Sequence, residues 1–264
     1  MSDLAAVFDE FTRFATPLGY TEACRFLAFD DGRWTEFDDY LDLLRQALSE
    51  ARARTVGDGL IGVDLACGEY AWLARHFRDE FRLLHLLDMS EAAMAATKSL
   101  CDANTRFVLG DASVTLTSLS GVDFLYAGFS FYRPFVRGVA NCLSATGSFL
   151  VMVPIDGDDL RWRERFCGRT VAERGRELAQ VEEELRVDFE LVSDRYTFHW
   201  RFAEDEVPTV VAAMAAVCFG WEGLTPQRMN DLDTVRRSLV GRVSEGDFVL
   251  SQEAQVWRGR RKEA

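Results

Sequence analysis

Five short apolar runs, at 60–65, 82–88, 106–110, 122–128 and 148–153, alternate with stretches of helical periodicity at 70–79, 91–103, 112–119 and 134–144. This alternation leaves few topologies open. Parallel strands need a long crossover, and the helix that supplies it covers a face of the sheet. Phe149-Leu150-Val151-Met152-Val153 is apolar at every position, as a strand buried on both faces is. The rhythm breaks at Asp156-Gly157-Asp158, and a charged helical stretch follows from about Arg161 to Leu185. The chain then offers two runs rich in β-branched and aromatic residues, 189–200 and 248–257, with an apolar helix at 207–217 between them. That strand–helix–strand ending closes the sheet. Ahead of the rhythm, Leu4, Val7, Phe8, Phe11 and Phe14 recur at helical spacing, and further helices are expected at 21–29 and 37–53. Gly57-Asp58-Gly59 marks the turn into the first strand. The expected organisation is a helical N-terminal cap over 1–58, then one α/β domain over 59–264 carrying a helical insert at about 157–186.

Bulk properties narrow the function classes. At 48% hydrophobic and 28% charged residues, the 264-residue chain has ample material for one large core. It contains no apolar run of about 18 residues, so no membrane span is expected. Met-Ser-Asp-Leu-Ala at the start has neither a basic nor a long apolar segment, and a cytoplasmic location is expected. A net charge of −13 disfavours a nucleic-acid partner. Arg258, Arg260, Arg261 and Lys262 read as a solubilising tail. The six cysteines and three histidines are scattered without paired spacing. Reduced thiols and no metal site are expected.

Residues 59–70, Gly-Leu-Ile-Gly-Val-Asp-Leu-Ala-Cys-Gly-Glu-Tyr, carry the chemistry. A strand ends at Asp64, small residues turn the chain at Ala66-Cys67-Gly68, and a helix follows. Such a unit aims backbone N–H groups and a helix N-terminus at a ligand. The next strand ends in Asp88, at the spacing at which a carboxylate takes ribose hydroxyls. Together these imply a nucleoside-containing cofactor. Gly68 is the turn's only glycine and none follows in the next ten residues, which speaks against a pyrophosphate-binding G-x-G-x-x-G loop.

Four stations resemble the class I S-adenosylmethionine (SAM) dependent methyltransferases in order: Val63-Asp64-Leu65-Ala66-Cys67-Gly68, Leu87-Asp88-Met89-Ser90, Leu109-Gly110-Asp111-Ala112 and Tyr126-Ala127-Gly128-Phe129-Ser130. The last strand, 251–257, is similar as well. The resemblance spans roughly 55–260. It implies a doubly wound, mostly parallel seven-stranded sheet with an antiparallel last strand. It also implies SAM as cofactor, held by Asp64, Ala66, Cys67, Gly68, Tyr70, Asp88, Met89, Gly110, Asp111, Ala112 and Phe129. In that family Asp64 would approach the methionine amino group, Asp88 the ribose and Asp111 the adenine. Two positions depart from the pattern, since Ala66 and Tyr70 stand where glycines are usual. Tyr70 either lines the pocket or turns outward to pack on the cap.

Acceptor-side candidates are Tyr20, Phe131, Tyr132 and His199. Aromatic rings at 129–135 suit a sulfonium, because a cation is attracted to a π face; packing against the cap is the other reading. Tyr20 is a lid candidate on a turn set by Pro17-Leu18-Gly19, and Trp34 and Phe37 share its region. His199 is a candidate base, with a structural role as the alternative. The expected activity is methyl transfer from SAM to oxygen or nitrogen of a small biosynthetic substrate, by a monomer or homodimer. Alternatives are aminocarboxypropyl transfer, cyclisation of SAM to azetidine-2-carboxylate with release of methylthioadenosine, or SAM binding without catalysis.

Overall fold

The computed structural model describes residues 2–28, 32–167, 170–219 and 226–262. Three helices come first: α1 (Ser2–Phe14), α2 (Pro17–Ala28) and α3 (Phe37–Arg52). The alternating region follows as β1 (Leu60–Leu65), α4 (Trp72–His76), β2 (Phe81–Asp88), α5 (Glu91–Thr97), β3 (Thr105–Leu109), α6 (Ala112–Thr115), β4 (Val122–Gly128), α7 (Phe135–Cys142) and β5 (Leu143–Gly157). The remainder forms α8 (Asp158–Cys167), α9 (Val171–Asp188), β6 (Phe189–Ala203), α10 (Val207–Phe219), α11 (Pro226–Val240) and β7 (Asp247–Arg261). The seven strands form one mixed sheet in the order β3-β2-β1-β4-β5-β7-β6, parallel through β5, with an antiparallel last strand. This is the α/β architecture that the alternation implies.

The chain divides into two compact units. Unit 1 comprises Met1–Phe37, Ile155–Arg174 and Thr197–Glu253; unit 2 comprises Asp38–Pro154, Gly175–Tyr196 and Ala254–Ala264. The segment before the first strand is therefore shared, with α3 in unit 2.

In unit 2, β1 is the central strand, with Asp64 opposite Leu86 of β2 on one side and Tyr126 of β4 on the other. Five of its six residues are buried, as a parallel strand covered on both faces requires. Gly62 is dictated by packing, because a Cβ there would lie 2.3 Å from a ring carbon of Phe81. α3 presents Tyr40, Leu43, Leu44, Ala47, Leu48 and Ala51 as one buried stripe at helical spacing. Each leucine so buried contributes on the order of 2 kcal/mol. The buried Tyr40 and Tyr126 hydroxyls hydrogen bond, anchoring α3 to β4. The expected solvated charged helix is two helices. α8 belongs to unit 1 and most of α9 to unit 2, where α9 buries Leu178, Val181 and Leu185. The middle of the expected helix, 168–169, lies outside the described residues, as does the expected end of α2 at Phe29.

The basic cluster near the C-terminus is not a tail. Arg258 and Arg260 lie in β7 and pair with Asp194 and Glu190 of β6, while Arg261 donates to the Ala140 carbonyl. Carboxylates on the neighbouring strand give these arginines partners that charge counting along the chain does not show.

Unit 1 is organised round α10, against which α1, α2, α8 and α11 pack. Val210 through Ala216 are buried without a break, as in a helix enclosed on every side. α11 escapes the strand–helix–strand reading of the ending, although its buried Leu232, Val235 and Leu239 follow a helical repeat. Arg33 ties the segment after α2 to the sheet. It pairs with Glu206 at 2.7 Å, and its guanidinium lies over Phe26 and Phe202 at 4.6 and 5.1 Å. No helix among the described residues is long and apolar enough to cross a membrane.

The β1 packing is directly testable. Gly62→Val forces a side chain into the Phe81 ring, and a loss of about 1–3 kcal/mol is expected in urea denaturation.

Candidate functional site

The chain leaves β1 through a loop that a non-glycine residue adopts only under strain. Ala66 has φ 53°, Gly68 φ 56° and Ala71 φ 47°. At the end of β4, Phe129 has φ 63°. Left-handed backbone costs a residue with a Cβ roughly 1–2 kcal/mol, and such strain gathers where a ligand is held. Ala66, Ala71 and Phe129 all lie just past the C-terminal ends of central strands, where open α/β sheets take ligands.

Two carboxylates hold the loop. Asp64 is buried, and one of its oxygens accepts the Leu73 N–H of α4 at 3.0 Å. This satisfies one of the donors that a helix start leaves unpaired. Its other oxygen, Oδ1, has no hydrogen-bond partner among the described residues. Burial raises the Asp64 pKa to about 7, against the Leu73 N–H, which lowers it; the charge of Asp88 adds to the rise. Asp88, at the end of β2, accepts the Gly68 N–H through one oxygen and the Ser90 N–H through the other, both at 2.9 Å. Each oxygen keeps a second lone pair for a further donor. Cys67 lies between the two acids. Burial first, then Asp64 and Asp88, push its thiol far up, so it stays protonated.

The neighbouring stations continue along the same edge. Met89, next to Asp88, is 77% exposed, and Leu109, which pairs with Asp88 across β2 and β3, is exposed as well. The Gly110 N–H donates to the Asp88 carbonyl at 2.9 Å. Asp111 caps α6, accepting the Ser113 N–H at 2.8 Å and its hydroxyl at 2.7 Å. These two bonds hold its carboxyl below the usual range. Ala112 is buried behind it.

The aromatic candidates diverge. Phe131 is fully buried, edge-on to Phe135 with ring centres 5.8 Å apart, whereas Tyr132 is 44% exposed. Tyr70 is half-buried, its ring 4.2 Å from Trp72, with the Arg75 guanidinium 5.2 Å from its centre. Trp72 in turn meets Tyr40 edge-on. Tyr70 thus begins an aromatic run that reaches α3. Leu109 joins this edge through its pairing with Asp88, which the sequence does not signal because an apolar residue at a strand end reads as core.

Tyr20 and His199 belong to unit 1. The expected turn at 17–19 is instead the start of α2, with Pro17 in its first turn, a place that suits proline. The Thr16 hydroxyl accepts the Gly19 N–H at 2.9 Å, as a capping residue does. The Tyr20 side chain lies outside the described residues. His199 lies on β6. Residues 33–36 run antiparallel to it through a Trp34–Trp200 bridge, bringing Glu36 to His199. One Glu36 oxygen meets His199 Nδ1 at 2.6 Å, and the other accepts its backbone N–H at 2.7 Å. Nothing in the spacing of the chain announces Glu36; only strand pairing delivers it. Among the described residues no group of three or more His, Cys, Asp or Glu side chains is placed to hold a metal ion.

No family model matches the chain, and no curated protein matches it. Solved structures do match. A proposed methyltransferase of Bacillus halodurans C-125 is 14% identical and superposes with a TM-score of 0.53, over 83% of this chain and all of that one. The YcgJ protein of Bacillus subtilis gives 0.52 at 14% identity, over the same shares. A phosphoethanolamine N-methyltransferase of Haemonchus contortus gives 0.54 at 14% identity, over 94% of this chain and 58% of that one. The fold is that of the class I SAM-dependent methyltransferases. On this methyltransferase fold, Asp64, Gly68, Asp88, Gly110 and Phe129 lie at or just past the C-terminal ends of β1 to β4, the edge at which such sheets bind ligands.

The raised pKa of Asp64 has a signed consequence. Between about pH 4 and 7 the folded chain holds a proton on Asp64 that the unfolded chain has released. This contribution to stability is therefore complete below about pH 4 and declines as pH rises to about 7. Asp64→Asn is expected to flatten that part of the stability–pH curve, measured by denaturant titration without ligand.

Proposed function

We propose that this chain is a SAM-dependent methyltransferase acting on an oxygen or nitrogen of a small molecule. The observation that carries the reading is the pair of acids at the β1 and β2 ends, one buried with an unpartnered oxygen and the other gripping the loop glycine. The fit to SAM rests on donor chemistry. A buried carboxylate oxygen without a donor suits an ammonium group, so Asp64 Oδ1 would take the methionine amino group. The remaining lone pairs of Asp88 would take the ribose hydroxyls, and the exposed apolar faces of Met89 and Leu109 would cover the adenine, with Asp111 at its polar edge. Ala66, Cys67, Gly68, Gly110 and Ala112 keep side chains small where backbone approaches ligand. The H. contortus neighbour, solved with S-adenosylhomocysteine and phosphomonomethylethanolamine, supports a cofactor of this kind on this fold.

SAM, when bound, supplies a methyl group already activated by its sulfonium. The protein's work is then alignment and exclusion of water. Phe129 and Tyr132 would offer π faces to the positive charge, and Tyr70 would wall the methionine end. The buried Phe131 supports them through Phe135.

Two measurements test the reading. Asp88→Ala removes the ribose acceptor and frees the loop, and calorimetry is expected to show SAM affinity falling by about a hundredfold, two charge-assisted bonds' worth; unchanged affinity ends the proposal. Methyl transfer yields S-adenosylhomocysteine, so methylthioadenosine as the nucleoside product would replace it with chemistry at another carbon of SAM.

A further inference from the structure

β6 is the last strand of the sheet, and among the described residues no strand lies along the outer edge of its unit 2 portion. Alternation fixes which backbone groups face that way. In an antiparallel ladder successive residues turn their N–H and C=O to opposite sides. The Asp188 carbonyl accepts the Lys262 N–H just past β7, and the Glu204 N–H donates to the Gly246 carbonyl, so even-numbered residues of β6 face β7. The spans between these two contacts are equal on both strands, which keeps the alternation in step. Odd-numbered residues therefore face outward. His199 and Arg201 do so, the first accepting the Thr35 N–H and the second donating to the Arg33 carbonyl.

The outer edge is occupied at both ends and open between them. Residues 33–36 cover it from His199 onward, and the Arg186 guanidinium donates to the Leu191 carbonyl at 3.3 Å. In between, Ser193 and Arg195 turn their N–H and C=O outward; both residues are exposed, and neither has a backbone partner on that side among the described residues. Proline, glycine and lysine, which blunt an open edge, are absent from Leu191-Val192-Ser193-Asp194-Arg195-Tyr196. The charges beside the edge are balanced on one face, where Glu190 pairs with Arg260 and Asp194 with Arg258. On the other face the Ser193 hydroxyl donates to Glu182 of α9 at 3.3 Å, and Arg195, two residues on, is exposed on that same face.

We propose that this edge of β6 is a homodimer interface, where two copies of the chain join their sheets by antiparallel pairing of residues 191–196 about a two-fold axis at Asp194. Asp194 is the midpoint of the open stretch, and that register sets Ser193 of each copy opposite Arg195 of the other. Each such pair exchanges both backbone hydrogen bonds. Each Arg195 guanidinium comes beside the Glu182 carboxylate that flanks Ser193 of the other copy. The exposed Val192 meets Tyr196, a β-branched residue against an aromatic one across the strands. The two Asp194 side chains meet at the axis, each neutralised by its own Arg258.

The proposal does not rest on the SAM reading, and the full chain tests it without cofactor. Light scattering behind size-exclusion chromatography, over a dilution series, is expected to show a dimer that dissociates on dilution. Ser193→Pro deletes the outward N–H and leaves the β6–β7 ladder intact, because that N–H is not part of it. The dissociation constant is expected to rise at least about tenfold, two backbone bonds being lost per dimer. Ser193→Ala, which loses only the hydroxyl, is expected to keep the wild-type value. Arg195→Glu sets a carboxylate beside Glu182 of the other copy and is expected to weaken the dimer by a similar factor, less so at high salt. Only an exposed side chain changes in that variant, so it decides the matter should the melting temperature show the proline variant unfolded. A monomer at every concentration, or a dimer as tight in folded Ser193→Pro or in Arg195→Glu as in the wild type, overturns the proposal.

Discussion

The carboxylate of Asp88 is the interaction on which the candidate site depends. It closes the end of β2, receives the Gly68 N–H from the loop after β1 and receives the Ser90 N–H at the start of α5. Its backbone carbonyl takes Gly110 from the end of β3. One residue thus ties three consecutive strand ends together. Charge-assisted bonds to backbone N–H groups are worth more than neutral ones, which is what a loop with left-handed Ala66 and Ala71 requires to stay in one conformation.

Asp64 plays the opposite part. It is buried, receives a single N–H from α4 and keeps one oxygen without a partner. A folded chain tolerates such a group where a ligand completes it, and the loop geometry that Asp88 enforces is what holds Asp64 there. The two acids divide the labour. One makes the loop rigid, and the other keeps a buried oxygen without a partner.

Unit 1 follows a different logic. An apolar helix, α10, is packed round by α1, α2, α8 and α11, Arg33 pairs with Glu206, and His199 hydrogen bonds with Glu36. The stacked Trp34 and Trp200 rings, 5.5 Å apart, fix the short antiparallel pairing that brings Glu36 to the histidine. The histidine's contact with Glu36 thus goes with the packing of its neighbour Trp200 against the distant Trp34.

Periodicity alone determined that this chain builds a sheet by alternating strands and helices, and strand-end acids twenty or so residues apart marked its candidate ligand edge. These signals are local: hydrophobic period, turn-forming small residues and a carboxylate after an apolar run all act within a few residues of backbone. Tertiary structure decided the rest. The spacing of Tyr70 allowed it to face a pocket or a partner, and packing set it on Trp72. Phe131 and Tyr132 are neighbours in sequence, yet one is buried and the other half in water. The arginines near the C-terminus read as a solvated tail and became strand residues, because β6 supplied the carboxylates. Glu36 meets His199 only because its segment pairs with a strand more than 150 residues away. A local pattern specifies what a segment can become; which side chains meet is settled by long-range packing, where a contact's energy depends on partners that the pattern does not contain.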